Sequence, residues 1–185
     1  MKCILHIGVE KTGSTSIQKA FNGFDDGSVF YADLDRPNHS FAFEYMFRLD
    51  DNFRQALSAQ GVTPEKVVNE YERLLAEALD LDRKTVIFSA ENASKFSITA
   101  LRSLRRRLEK ACDSFQVVMF VRDPLRWTAS LVQEHSKFAL PLDEMQFLSF
   151  QERYRNISAV FSLEELTILK YETPTVAKQD VVSRF

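Results

Sequence analysis

Apolar positions along the chain follow two alternating rhythms. Short continuous apolar runs at Cys3–Ile7, Thr85–Ser89, Phe115–Val121 and Leu166–Leu169 have the length of strands, with a weaker one at Val29–Ala32. Between them, apolar residues recur every three or four positions, the period of a helix. Ile17, Ala20, Phe21 and Phe24 mark a helix after the first strand. Val67, Val68, Tyr71, Leu74, Leu75, Ala78 and Leu79 mark an amphipathic one, and Ile98, Leu101, Leu104, Leu108 and Ala111 another. Phe41 to Leu57 is helical but mixed. Arg122-Asp123-Pro124 ends the strand before it, and a helix to about Phe138 follows, with Leu125, Ala129 and Val132 as its expected packed side. Leu142 to Ile157 is helical again, and Thr173-Pro174 reads as N-cap and first position of a last helix reaching Phe185. Phe115–Val121 is apolar apart from Gln116, as expected of a strand buried on both faces of a sheet.

Strands alternating with helices of this length predict βαβ units. The expected fold class is α/β, a three-layer sandwich whose central parallel sheet is covered on both faces. No repeat or linker divides the sequence, so a single domain over residues 1–185 is expected. In such folds ligands bind beyond the carboxyl ends of the strands. That directs attention to residues 8–16, 31–40, 89–95 and 122–130.

Composition narrows the function classes. Hydrophobic residues make up 45% and charged residues 27%, ordinary for a globular chain. The formal net charge of −2 gives no overall basic field for nucleic acid or a membrane surface, so any anion site must be local. No apolar run approaches the ~20 residues of a membrane span. The cysteines Cys3 and Cys112 suit small buried hydrophobes in a reducing compartment, and a cytoplasmic location is expected. Neither has metal-cluster spacing, and no metal is expected. The sixteen phenylalanines read as core. Arg102, Arg105, Arg106 and Arg107 read as a solvated helix face opposite Leu101, Leu104 and Leu108, rather than as a nucleic-acid patch.

The chemistry concentrates in the loop after the first strand. Gly8 and Gly13 have the spacing of the phosphate-loop pattern G-x-x-x-x-G-K-[ST], in which glycines let backbone amides approach an anion at a helix N-terminus. Ser14, Thr15 and Ser16 add hydroxyl donors. The pattern departs from that of nucleotide triphosphatases: Ser14 stands in the lysine position and the lysine comes earlier, as Lys11.

The segment His6-Ile7-Gly8-Val9-Glu10-Lys11-Thr12-Gly13-Ser14-Thr15-Ser16-Ile17-Gln18 resembles the 5′-phosphosulfate-binding loop of sulfotransferases, above all their bacterial carbohydrate-type branch. Val117-Val118-Met119-Phe120-Val121-Arg122-Asp123-Pro124 followed by Ser130 resembles the 3′-phosphate-binding element of the same family, and Ser89-Ala90-Glu91-Asn92 resembles a serine–glutamate–asparagine element of related bacterial sequences. The resemblance runs from the first strand to Tyr171-Glu172; the family's further closing loop has no counterpart here. It implies a P-loop nucleotide-triphosphatase-like fold and 3′-phosphoadenosine 5′-phosphosulfate as co-substrate. It also implies that Lys11 contacts the bridging and sulfuryl oxygens and Thr12, Gly13, Ser14, Thr15 and Ser16 hold the 5′-phosphate. Arg122 and Ser130 would hold the 3′-phosphate. The acceptor it implies is a carbohydrate.

The catalytic base has two candidates. Glu91 directly follows a strand and could take the proton of an acceptor hydroxyl, while its residual alternative is an accessory to a helix cap at Asn92 or Ser94. His39, in Arg36-Pro37-Asn38-His39-Ser40, titrates near neutrality and follows the second strand. His135 is expected to be a packing residue, His6 to be buried, and Trp127 to flank an adenine or join the core. Two other readings stay open: a kinase-like phosphotransferase, which needs the lysine that Ser14 replaces, and a non-catalytic nucleotide-binding module.

Overall fold

The computed structural model describes residues 1–48, 58–59, 61, 63–137, 149–172 and 181–185, with the side chain of His135 excepted. Within them lie five strands: β1 (Lys2–His6), β2 (Val29–Tyr31), β3 (Thr85–Ser89), β4 (Ser114–Val121) and β5 (Leu166–Lys170). They form one sheet of order β2-β3-β1-β4-β5 in which every pairing is parallel. The helices are α1 (Ser14–Phe21), α2 (Ser40–Phe47), α3 (Pro64–Asp80), α4 (Ile98–Leu108), α5 (Pro124–Lys137), α6 (Phe150–Ser158) and α7 (Val181–Arg184). A 3₁₀ turn, Glu91–Lys95, joins β3 to α4. The strand order and the glycine loop between β1 and α1 make this a P-loop-type α/β fold. No helix among the described residues is long and apolar enough to cross a membrane.

The apolar pattern explains the packing. Cys3, Leu5, Val86, Phe88, Val117 and Met119 are buried in one core with Leu75 of α3 and Leu101, Leu104 and Leu108 of α4. The opposite face of the sheet buries Ile17, Val118 and Phe120 with Val181. β4 is therefore covered on both sides. The α4 arginines are less uniformly solvated than their pattern suggests: Arg102 and Arg106 are exposed, but Arg105 is held by Glu165 at 2.8 Å and lies over Phe115 and Phe161. Arg107 pairs with Glu72.

Several boundaries move. α1 stops at Phe21, short of Phe24, because Gly23 turns the chain at a positive φ of 75°. α4 is capped by Ser97, whose hydroxyl accepts from the Ala100 amide, and not by Asn92 or Ser94, which sit in the 3₁₀ turn. The packed side of α5 is also different. Leu125 is 82% exposed and Ala129 is exposed, while Trp127 is buried and Leu131 packs against the core. The helix is turned by the loop it covers, so Trp127, Leu131 and Glu134 face inward. Leu57, Phe138, Leu142 and the cap Thr173-Pro174 lie outside the described residues.

Candidate functional site

β1 is the central strand, with β3 on one side and β4 on the other, so the crevice beyond its carboxyl end lies where the chain's course reverses. Strand lengths decide what meets there. β1 ends at His6, opposite Ser89 of β3 and Val118 of β4, while β4 continues to Val121. The loop follows that extension, with the Ile7 amide bonded to Val118 O and the Val9 amide to Phe120 O. Lys11 is thereby carried to the end of β4, and Arg122 Nη1 donates to Lys11 O at 3.0 Å.

The loop is tightly specified. Gly13 is the N-cap of α1 at φ +85°, with no side-chain cap, so the first amides of α1 keep no intrahelical partner. Lys11 also holds a left-handed φ of 64°, uncommon for a residue with a side chain. A Cβ on Gly8 would lie 2.7 Å from His6 Nε2 and 2.8 Å from Ser14 Oγ, so only glycine fits there. Thr12 is buried and its hydroxyl donates to Val9 O, bracing the loop from inside.

Beyond the strand ends a cleft of about 570 Å³ opens. The loop lines it with Glu10, Lys11, Gly13, Ser14 and Thr15, and the 3₁₀ turn with Glu91 and Lys95. Arg122, Glu134 and Tyr171 close the opposite side. A second, open concavity lies along α5 between Arg122, Arg126, Ser130 and Gln133. Arg122 borders both, and its guanidinium stacks 5.3 Å over Tyr171. The structure thus gathers Lys11, Gly13, Ser14, Thr15, Glu91 and Arg122 around one cleft and places Ser130 beside the same arginine. Thr12 faces inward, and Ser16 is exposed and does not line the cleft.

Lys11 Nζ is 3.1 Å from Glu134, which also accepts from Lys137. Both partners are solvated, so water screens the pair and a bound anion can compete for the ammonium. Ser14 Oγ is buried in the cleft wall beside Glu91. Burial raises the Glu91 carboxyl above its ordinary value; Ser14 opposes this, the Glu10 charge adds to it, and Lys95 and Lys11 oppose it.

His39 stands elsewhere. It is fully buried, packed against Tyr31 and Phe88, and its Nδ1 accepts from the Ser89 amide at 3.1 Å. Nδ1 as acceptor puts the single proton of the neutral ring on Nε2. Burial drives its pKa down to about 3, against the Ala32 backbone, which raises it. His6 is equally buried; it meets Ser89 Oγ at 2.8 Å, and burial lowers its pKa to about 4. Gln18 Nε2 donates to the same hydroxyl at 3.2 Å. These groups form a polar core behind the cleft and do not open into it. Trp127 is buried and lines the cleft, donating Nε1–H to Glu10 O at 3.0 Å.

Sequence reasoning missed Arg153. It is 2% exposed, pairs with Glu10 at 2.8 Å and donates to Ser94 Oγ at 2.9 Å. Lys95 pairs with the other Glu10 oxygen. Burial alone would raise the Glu10 carboxyl; Arg153 and Lys95 outweigh it and hold it below its ordinary value. Removing one member of so buried a pair costs about 3–5 kcal/mol. No local signal marks Arg153, since it lies 143 residues from its partner. Glu134 was legible: it stands one helical turn after Ser130, on the helix already assigned to the site.

No protein-family model and no curated protein matches the sequence. Among solved structures, the chain is similar to a sulfotransferase from Alicyclobacillus acidocaldarius at 14% identity and TM-score 0.49, over 91% of this chain and 72% of that one. It is also similar to a gluconokinase from Sinorhizobium meliloti 1021 at 12% identity and TM-score 0.40, over 94% and 84% of the two chains. Neither likeness carries an argument about activity; the fold rests on the strand order and the loop.

Proposed function

We propose that this chain is a sulfotransferase, moving a sulfuryl group from 3′-phosphoadenosine 5′-phosphosulfate to a hydroxyl or amine acceptor, with carbohydrate as the acceptor class. The observation that carries the reading is Arg122, which borders both the loop cleft and the α5 concavity holding Ser130. A donor with phosphates at both the 5′ and 3′ positions of one ribose calls for two anion sites joined in this way. The early lysine agrees: Lys11 lies on the cleft side of the loop, while Ser14 occupies the usual lysine position.

In this mechanism the loop amides, Ser14 and Thr15 hold the 5′-phosphate at the start of α1. Arg122 and Ser130 hold the 3′-phosphate, the guanidinium by charge-assisted hydrogen bonds. Glu91, as carboxylate, takes the acceptor proton. The acceptor atom bonds to sulfur as the sulfur–oxygen bond to the 5′-phosphate breaks. Negative charge grows on the departing phosphate oxygen, where Lys11 and the amides stabilise it. A carboxyl raised by burial is a better proton acceptor near neutrality than an ordinary one, and Glu91 meets that requirement. His39, buried away from the cleft, is not the base in this reading.

Calorimetric titration with 3′-phosphoadenosine 5′-phosphate tests the proposal. The wild type binds, and Lys11→Ala and Arg122→Ala each weaken binding roughly 10- to 100-fold, the scale of a lost charge-assisted hydrogen bond. Absence of binding by the wild type sinks the proposal. Equal affinity for Mg²⁺-ATP, with Arg122→Ala indifferent, would favour a kinase-like phosphotransferase instead.

A further inference from the structure

Glu10 is the member of the loop that the phosphate reading leaves unused, and its presence needs a reason. A carboxylate beside an anion site opposes binding there. Yet Glu10 is held at three points. Its two oxygens are taken by Arg153 of α6 and Lys95 of the 3₁₀ turn, and its backbone oxygen by Trp127 of α5. Arg153 in turn holds Ser94, in the turn that begins with Glu91. One residue therefore ties together the loop, the turn and two helices.

We propose that Glu10 is a positioning residue for Glu91: anchored by Arg153, Lys95 and Trp127, it fixes the turn Glu91–Lys95 against the phosphate loop and keeps an ionised carboxylate beside the base. The inference rests on the assignment of Glu91 as base. Its geometry has a chemical consequence. The Glu10 charge pushes the Glu91 carboxyl up, against the lowering by Lys95, the ammonium that Glu10 itself holds in the turn. From the other elements around the cleft, Glu91 faces Lys11 and Ser14 of the loop and α1. Arg122, Glu134 and Arg153 line the remaining walls. Replacing Glu10 by a neutral residue removes that raising influence and leaves the lowering by Lys95 and Lys11 in place, so the Glu91 carboxyl falls. The loop itself keeps its anchors, because Trp127 and Arg122 bond backbone oxygens that the replacement does not alter.

The experiment is a carboxyl-carbon NMR titration of ¹³C-glutamate-labelled protein, with the Glu91 resonance assigned by Glu91→Gln, run beside calorimetry with 3′-phosphoadenosine 5′-phosphate. In Glu10→Gln the Glu91 midpoint falls by about half a pH unit or more, while bisphosphate affinity stays within about threefold of wild type. Glu10→Asp, which keeps the charge, restores the midpoint. Should Glu10→Gln fail to fold because its pairing with the buried Arg153 is lost, the Glu10→Gln/Arg153→Met double variant carries the same titration. An unchanged Glu91 midpoint overturns the proposal, as does a loss of bisphosphate affinity beyond about threefold, which would place Glu10 in donor binding. A wild type that binds no bisphosphate defeats the sulfotransferase reading, whereas the titration still decides the role of Glu10.

Discussion

Lowering the pH from 7 to 5 should destabilise this fold sharply through two residues that take no part in the proposed reaction. His6 and His39 are fully buried behind the cleft, and burial lowers their pKa values to about 4 and about 3 from an ordinary value of 6.5. A group whose folded pKa is depressed binds fewer protons folded than unfolded. For a histidine the resulting penalty is absent above the unfolded value near 6.5 and grows as pH falls toward the folded value. At pH 5 each histidine removes about 2 kcal/mol relative to pH 7, and the pair about 4 kcal/mol. That is a large part of a typical stability of ~5–15 kcal/mol. Glu91, raised in the fold, acts in the opposite sense and offsets part of the loss. Urea unfolding at half-unit pH steps between 7 and 5 measures the slope. The His6→Asn/His39→Asn double variant isolates it, since an asparagine carbonyl can replace each Nδ1 without titrating. A flat wild-type profile, or a double variant with the wild-type slope, would show that these imidazoles are not held neutral by burial.

Two further outcomes follow from packing and capping. Gly8→Ala places a methyl group against His6 Nε2 and Ser14 Oγ, both in buried side chains, and should cost about 1–3 kcal/mol in urea unfolding; a change under ~0.5 kcal/mol, the size of an ordinary surface substitution, would mean the loop can yield at that point. Ser97→Ala removes the hydroxyl that caps α4 at 3.2 Å and should lower stability by about 1 kcal/mol; Asn92→Ala, in the 3₁₀ turn, should leave the α4 amides unchanged in hydrogen exchange, and the opposite ranking would move the cap back to the turn.

The strands and the loop were legible because their signals are local. An apolar run such as Phe115–Val121 reports burial on both faces wherever it packs, and glycines at 8 and 13 report a tight loop before a helix. The α4 face of Leu101, Leu104 and Leu108 was equally readable from its period. Periodicity does not state how a helix is rotated against its neighbours. On α5 the apolar residues Leu125, Ala129 and Val132 suggested one face, but the loop beneath fixed Trp127 by its indole N–H and turned the helix accordingly.

The sequence by itself therefore determined an α/β chain of alternating strands and helices, a phosphate-type loop with its lysine early, and an arginine at the end of a strand. Tertiary structure decided what those pieces face. The three extra residues of β4 beyond Val118 carry the loop to Arg122. The parallel pairing of β3 with β1 sets Glu91 at the cleft, while the Ser89 amide holds His39 in the core, separating two candidate bases that the sequence left level. Arg153 reaches Glu10 from a distant helix. Each of these depends on strand order and register, which arise from packing the whole sheet, and no window of neighbouring residues contains them.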